Sequence, residues 1–125
     1  MKSKISFPKT SSRINFDPDF GTATQAMKAI KTGVISSREL TKHVFKRIKK
    51  HNAKINAFVT LNEEQALKRA RKADDALSAG KIWGALHGLP ILIKDQFPTV
   101  GLRTTCGFPE LANYIPEENA VTVDR

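Results

Sequence analysis

At 125 residues the chain has room for one domain with a real core and not for two, and its 40% apolar content lies in the globular range, away from wholesale disorder. The net charge is +9, and between Lys28 and Lys54 nine bases (Lys28, Lys31, Arg38, Lys42, Lys46, Arg47, Lys49, Lys50, Lys54) face one acid, Glu39, so +8 of that excess sits in one stretch. A single cysteine, Cys106, excludes an internal disulfide, and no apolar run is long enough for a secretory signal or a bilayer span, so a cytoplasmic location is expected.

Residues 1–21 show no periodicity and carry Pro8, Pro18 and several serines; they read as an extended arm. A first helix is expected from Thr22, where Thr22-Ala23-Thr24-Gln25 fits a capping box and Ala23, Ala26, Met27 and Ile30 share one face. Gly33 suits its left-handed end. Ser36-Ser37-Arg38-Glu39 is a stronger start signal, followed by an apolar stripe of Leu40, Val44, Phe45 and Ile48 and expected to break at Asn52 to Lys54. Ile55 to Leu61 alternates as a short strand or extended segment would. Asn62-Glu63-Glu64-Gln65 opens a third helix whose slim face is Ala66, Ala70, Ala73 and Leu77, ending at Gly80. Leu89-Pro90-Ile91-Leu92-Ile93 is apolar on consecutive residues, the pattern of an interior strand buried on both faces. Beyond Asp95, Pro98, Gly101, Gly107 and Pro109 predict irregular chain with at most one short strand.

Lys94 draws attention on physical grounds. An ammonium follows directly on a run expected to be buried, and in open α/β sheets ligand crevices form at the carboxyl ends of strands. A lysine desolvated there gives up its proton more readily and works as a neutral general base. The alternative is a strand that surfaces at Lys94, with its amine in water. Asp95 either pairs with Lys94 or caps the following turn, the commoner use of aspartate at such exits. Gly84, Gly88, Gly101 and Gly107 flank the segment without phosphate-loop spacing. Cys106 with His87 is a weak nucleophile–base pairing, and His43 and His51 lack a third ligand at metal spacing. The helix bearing the basic stretch has only Phe45 as an aromatic, and Phe45 belongs to the apolar stripe; the stretch reads as a solvated face, with nucleic acid not the expected partner.

The block Gly84-Ala85-Leu86-His87-Gly88-Leu89-Pro90-Ile91-Leu92-Ile93-Lys94-Asp95 resembles the first block of the amidase signature family, continued by Gly101-Leu102-Arg103-Thr104-Thr105 and Gly107. Upstream, Ser36 to Leu40, Arg47-Ile48, Ile55 to Val59 and Ala70 to Asp74 resemble the opening helices of that family in order, so the likeness covers about Thr22 to Arg125. The resemblance implies an α/β fold: N-terminal helices and the first strands of a mixed-sheet α/β/α architecture, incomplete in this chain, with 1–21 as the arm and 22–125 as part of a single amidase domain. It implies hydrolysis of linear, non-peptide amides through a Ser–cisSer–Lys triad, with Lys94 as the lysine base, a serine acyl-enzyme, no metal and no organic cofactor. Cys106 and Phe108 stand where many members carry alanine and serine, and Gln96 replaces the commoner asparagine.

The triad serines of the family lie in a Gly/Ser-rich region after this stretch, whereas the serines here (Ser3, Ser6, Ser11, Ser12, Ser36, Ser37 and Ser78) all precede Lys94. The expectation is therefore a chain truncated before the serine-rich region, inactive alone, that acts on a small-molecule amide when completed by downstream chain. Two alternatives stand beside it. One is a basic, non-enzymatic binding module. The other is a fragment of the amidase component of the tRNA-dependent amidotransferase, which resembles the same motifs.

Overall fold

The computed structural model describes residues 15–125. Residues 1–14 of the expected arm lie outside the described residues. The last part of that arm, 15–21, is a turn closed by the Gly21 N–H on the Asp17 carbonyl at 2.7 Å, and Phe16 packs onto the core.

Three helices carry the regular structure: α1 (Ala23–Lys31), α2 (Ser37–Ile55) and α3 (Glu63–Ser78). A 3-10 turn at Pro109–Leu111 and a one-turn helix, α4 (Val121–Asp124), follow. The expected starts are in place. Thr22 accepts from the Gln25 N–H while the Gln25 side chain accepts from the Thr22 N–H, a complete capping box. Ser36 and Glu39 form the same reciprocal pair at 2.9 and 3.0 Å, and the Ser36 backbone N–H, then its hydroxyl, hold the Glu39 carboxyl below its ordinary range. Gly33 and Gly80, both at positive φ, close α1 and α3.

α2 runs further than its pattern predicts. Asn52 to Lys54 lie inside it, and the helix ends before Asn56, which takes φ +46. The reason is where the Asn52 amide is used. Its Oδ1 accepts from the Phe58 N–H and its Nδ2 donates to the Phe58 carbonyl, each at 2.9 Å, so it ties down the chain beyond the helix instead of competing for the helix backbone.

The described chain divides into two compact units interleaved in sequence. The first takes in the described residues up to Val44 and then Leu67–Pro90. Its core is Ala26, Ile30 and Leu40, packed by Phe16, Ile35, Leu77 and Leu89. Ile30 is 1% exposed, a burial worth about 2–3 kcal/mol. The second unit is Phe45–Ala66 and Ile91–Arg125. Within it Phe45 and Ile48 are buried, while the long loop region is ordered chiefly by hydrogen bonds.

The expected interior strand does not form. Residues 89–93 take no regular structure and pair with no strand, and Ile91 and Leu92 are each 65% exposed. An interior strand needs ladder partners on both sides, and none of the described residues supplies one. The sole bridge among the described residues is an isolated antiparallel pair, Thr99 with Leu102, turned by Gly101 at φ +76. The described residues are thus mostly helical, compatible with the N-terminal part of an amidase fold, and among them there is no sheet that would show the α/β class. No helix among the described residues is long and apolar enough to cross a membrane.

Candidate functional site

Lys94 opens a turn at the end of the apolar run, its carbonyl accepting from the Phe97 N–H at 3.0 Å. Its side chain is exposed, as are those of Ile91 and Leu92 in the run before it, while Leu89 packs onto the core. Among the described residues its ammonium has neither an ion-pair nor a hydrogen-bond partner. Asp95 does not turn toward it. One Asp95 carboxylate oxygen accepts from the Thr105 N–H at 3.0 Å, the other from the Thr105 hydroxyl, and the Asp95 carbonyl accepts from the Cys106 N–H at 2.9 Å. These bonds clamp Asp95, the residue after Lys94, to 105–106, residues of the second resembling block. Neither reading of Asp95 is found: it does not pair with Lys94, and it leaves the following turn uncapped because its carboxylate is taken by Thr105, ten residues on.

The Thr105 hydroxyl, opposed by partial burial and helped by the Thr105 N–H and the Arg103 charge, holds the Asp95 carboxyl below its ordinary value of 3.8. A carboxyl with a lowered folded pKa contributes stability that is fully present above the unfolded value and lost as the pH falls through the folded one. The clamp is therefore expected to hold throughout neutral pH and to loosen only below 3.8. The Thr105 amide proton should move in an acid titration of the nuclear magnetic resonance spectrum; a resonance fixed down to about pH 2 contradicts the clamp.

Neighbouring loops are fastened in the same manner. The Arg103 guanidinium donates to the Val59 carbonyl at 2.7 Å and reaches the Ala112 carbonyl at 3.4 Å, and Thr60 donates to the Arg103 carbonyl. The Asn119 Oδ1 accepts from the Val100 N–H at 2.7 Å. Arg103 is legible in the sequence only within a resembling block, Asn52 only as an expected helix break, and Asn119 not at all. Their signal, a lone polar side chain among turn formers, is too common to single them out.

Two other resembling blocks meet the start of the Lys94 block in the first unit. Ser37 is 1% exposed; its N–H and that of Arg38 donate to the two Asp74 carboxylate oxygens at 2.7 and 3.1 Å, and its hydroxyl donates to the Gly88 carbonyl at 2.5 Å. Asp74, on α3, thus caps α2 from a distance, placing a carboxylate at the positive end of that helix. Beside it His87, 3% exposed, accepts from the Trp83 N–H at Nδ1 (3.1 Å), while Nε2 faces the Ala73 carbonyl at 2.9 Å. Only the neutral Nε2–H tautomer satisfies both contacts. With both nitrogens bound to backbone, His87 serves the loop and is no general base for Cys106. Cys106 is exposed, at φ +52. Among the described residues no three histidine, cysteine or acidic side chains gather as a metal would need.

Comparison with known proteins places these residues in a wider frame. A family profile described as Amidase matches residues 39–125, which holds both Lys94 and the Asp95–Thr105 clamp. The glutamyl-tRNA(Gln) amidotransferase A subunit of Alcanivorax borkumensis is 43% identical over 108 residues, 83% of this chain and 22% of the relative. Its counterpart of the same name from Caldanaerobacter subterraneus subsp. tengcongensis is 46% identical over 91 residues, 73% of this chain and 18% of its own length. That from Thioalkalivibrio sulfidiphilus is 43% identical over 104 residues, 83% and 21%. The chain spans about a fifth of the length of these relatives.

Proposed function

Because the chain belongs to the amidase family, we propose that it supplies the lysine-bearing segment of an amide hydrolase, with Lys94 as the base. The observation that carries this reading is the position of Lys94, at the end of an apolar run and next to Asp95, which accepts three hydrogen bonds from 105–106. In the mechanism that the family resemblance implies, the neutral Lys94 amine takes a proton from a bridging serine as that serine takes one from the nucleophilic serine. The nucleophile attacks the amide carbon, the leaving nitrogen receives a proton, and an acyl-enzyme remains for water to cleave. Both serines come from sequence other than the residues after Lys94 here.

A narrower reading is favoured by the names of the relatives, all of them A subunits of glutamyl-tRNA(Gln) amidotransferase. An amidotransferase must first free nitrogen from a donor amide, and the amidase step is that release. On this reading the chain works on the donor amide within a multi-component enzyme rather than as a free-standing amidase.

The experiment is a chimera. The aligned 108 residues replace their counterparts in the Alcanivorax borkumensis protein, and ammonia release from small amides is followed. The folded chimera is expected to release ammonia above background, and the 125-residue chain alone is expected to release none. A soluble, folded but inert chimera contradicts the assignment. So does turnover by the chain alone, which would require a different nucleophile.

A further inference from the structure

We propose that the C-terminal half of α2 is a phosphate-tracking surface for single-stranded RNA, built from Lys46, Lys50 and Lys54. No acidic residue lies between Glu39 and Glu63, so nothing in that stretch neutralises these charges locally. The three lysines recur every fourth residue and are all exposed, forming a single stripe. Each step along it rises about 6 Å, comparable to the step between neighbouring phosphates of an extended strand. Lys49, beside the stripe, is already engaged by Glu63 at 2.7 Å, whereas Lys46, Lys50 and Lys54 have no carboxylate in range among the described residues. The structure thereby separates a spent charge from three available ones, a distinction that composition alone does not make.

The chemistry of the stripe favours a polyphosphate over an acidic protein. Lysine is depleted in protein interfaces, which are anchored by aromatic side chains and arginine. The aromatics of this stretch are withdrawn: Phe45 is buried and Phe58 half-buried. An ammonium is a point charge that pairs one to one with phosphates and needs no planar partner. With no base-stacking platform, the grip is independent of sequence and dependent on salt. The proposal stands apart from the amidase reading, since it needs no catalytic residue and is tested on the chain itself.

The probe is a fluorescein-labelled oligouridylate of about 20 nucleotides, longer than one such surface covers, titrated by anisotropy at several salt concentrations. Binding is expected with Kd of about 10⁻⁵ M in low salt. Three phosphate contacts on a single strand give a slope of log K on log salt of about −2. The triple variant K46Q/K50Q/K54Q is expected to lose about tenfold or more in affinity at low salt and to flatten the slope, with helix content by circular dichroism unchanged. Should the triple variant lose helix, K50Q alone carries the test, with a smaller loss that K50R restores. Absence of binding at low salt overturns the proposal. Equal weakening by the charge-matched variant K28Q/K31Q/K72Q shows total charge alone at work and overturns it too. Tighter binding of polyglutamate than of oligouridylate assigns the stripe to an acidic protein instead.

Discussion

In the chimera, replacing Lys94 by methionine is expected to lower kcat/KM by about ten-thousandfold, the scale on which hydroxyl nucleophiles lose rate when a triad partner is removed. Methionine keeps the length and apolar stem of lysine and removes the amine, so the turn at 94–97 should survive. Lys94→Arg sharpens the result. Arginine keeps the positive charge but cannot work as a neutral base at any ordinary pH. If Lys94 moves a proton, the arginine variant is as inert as the methionine one. If it acts only as a fixed charge, the arginine variant retains most of the rate, and the base assignment falls while the family membership stands. Substrate binding should change little in either variant, so the loss belongs in kcat, and a loss confined to KM would point to a binding role instead.

The second large effect is structural. Gly88→Ala is expected to destabilise the helical unit by about 2–3 kcal/mol. Gly88 has φ +74, which an L side chain rarely adopts, and a Cβ there would sit 3.1 Å from the Ser37 Cβ and 3.2 Å from its Oγ. Ser37 cannot retreat, because its hydroxyl bonds the Gly88 carbonyl and its N–H bonds Asp74. Gly33→Ala provides the control. Its φ is +72 but nothing lies within 4 Å of the added carbon, so it reports backbone strain alone, about 1 kcal/mol. Urea titrations of both variants by circular dichroism check the ordering. Equal losses would mean that the contact with Ser37 contributes nothing.

The sequence was informative wherever a signal is local. Capping boxes at Thr22 and Ser36, the acidic start of α3 and the glycines that close α1 and α3 involve residues three or four apart, and each is found as read. The expected strand at 89–93 failed for the opposite reason. An apolar run states that a segment wants cover on both faces, not that cover is present, and Ile91 and Leu92 are left exposed. At Lys94 the following turn was legible, whereas the exposure of its side chain was not. The Asp95–Thr105 clamp and the Asp74 cap on α2 were out of reach, because neither spacing nor periodicity tells which distant backbone N–H a carboxylate will meet. The Asn52 amide made the same point in reverse, reading as a helix breaker while binding Phe58 beyond the helix end.

The seat of α2 also bears on how the chain reaches its native state. The Ser36–Glu39 pair closes over three residues, so the first turn can form on the fast timescale of helix initiation. Asp74 and Gly88 reach Ser37 across separations of 37 and 51 residues, and these contacts repay the entropy of loop closure only after α3 and the loop at Trp83 have taken shape. Nucleation and commitment are thus separated within one helix end. The local pair sets where α2 begins, and the bonds to Asp74 and Gly88 tie that start to the rest of the helical unit.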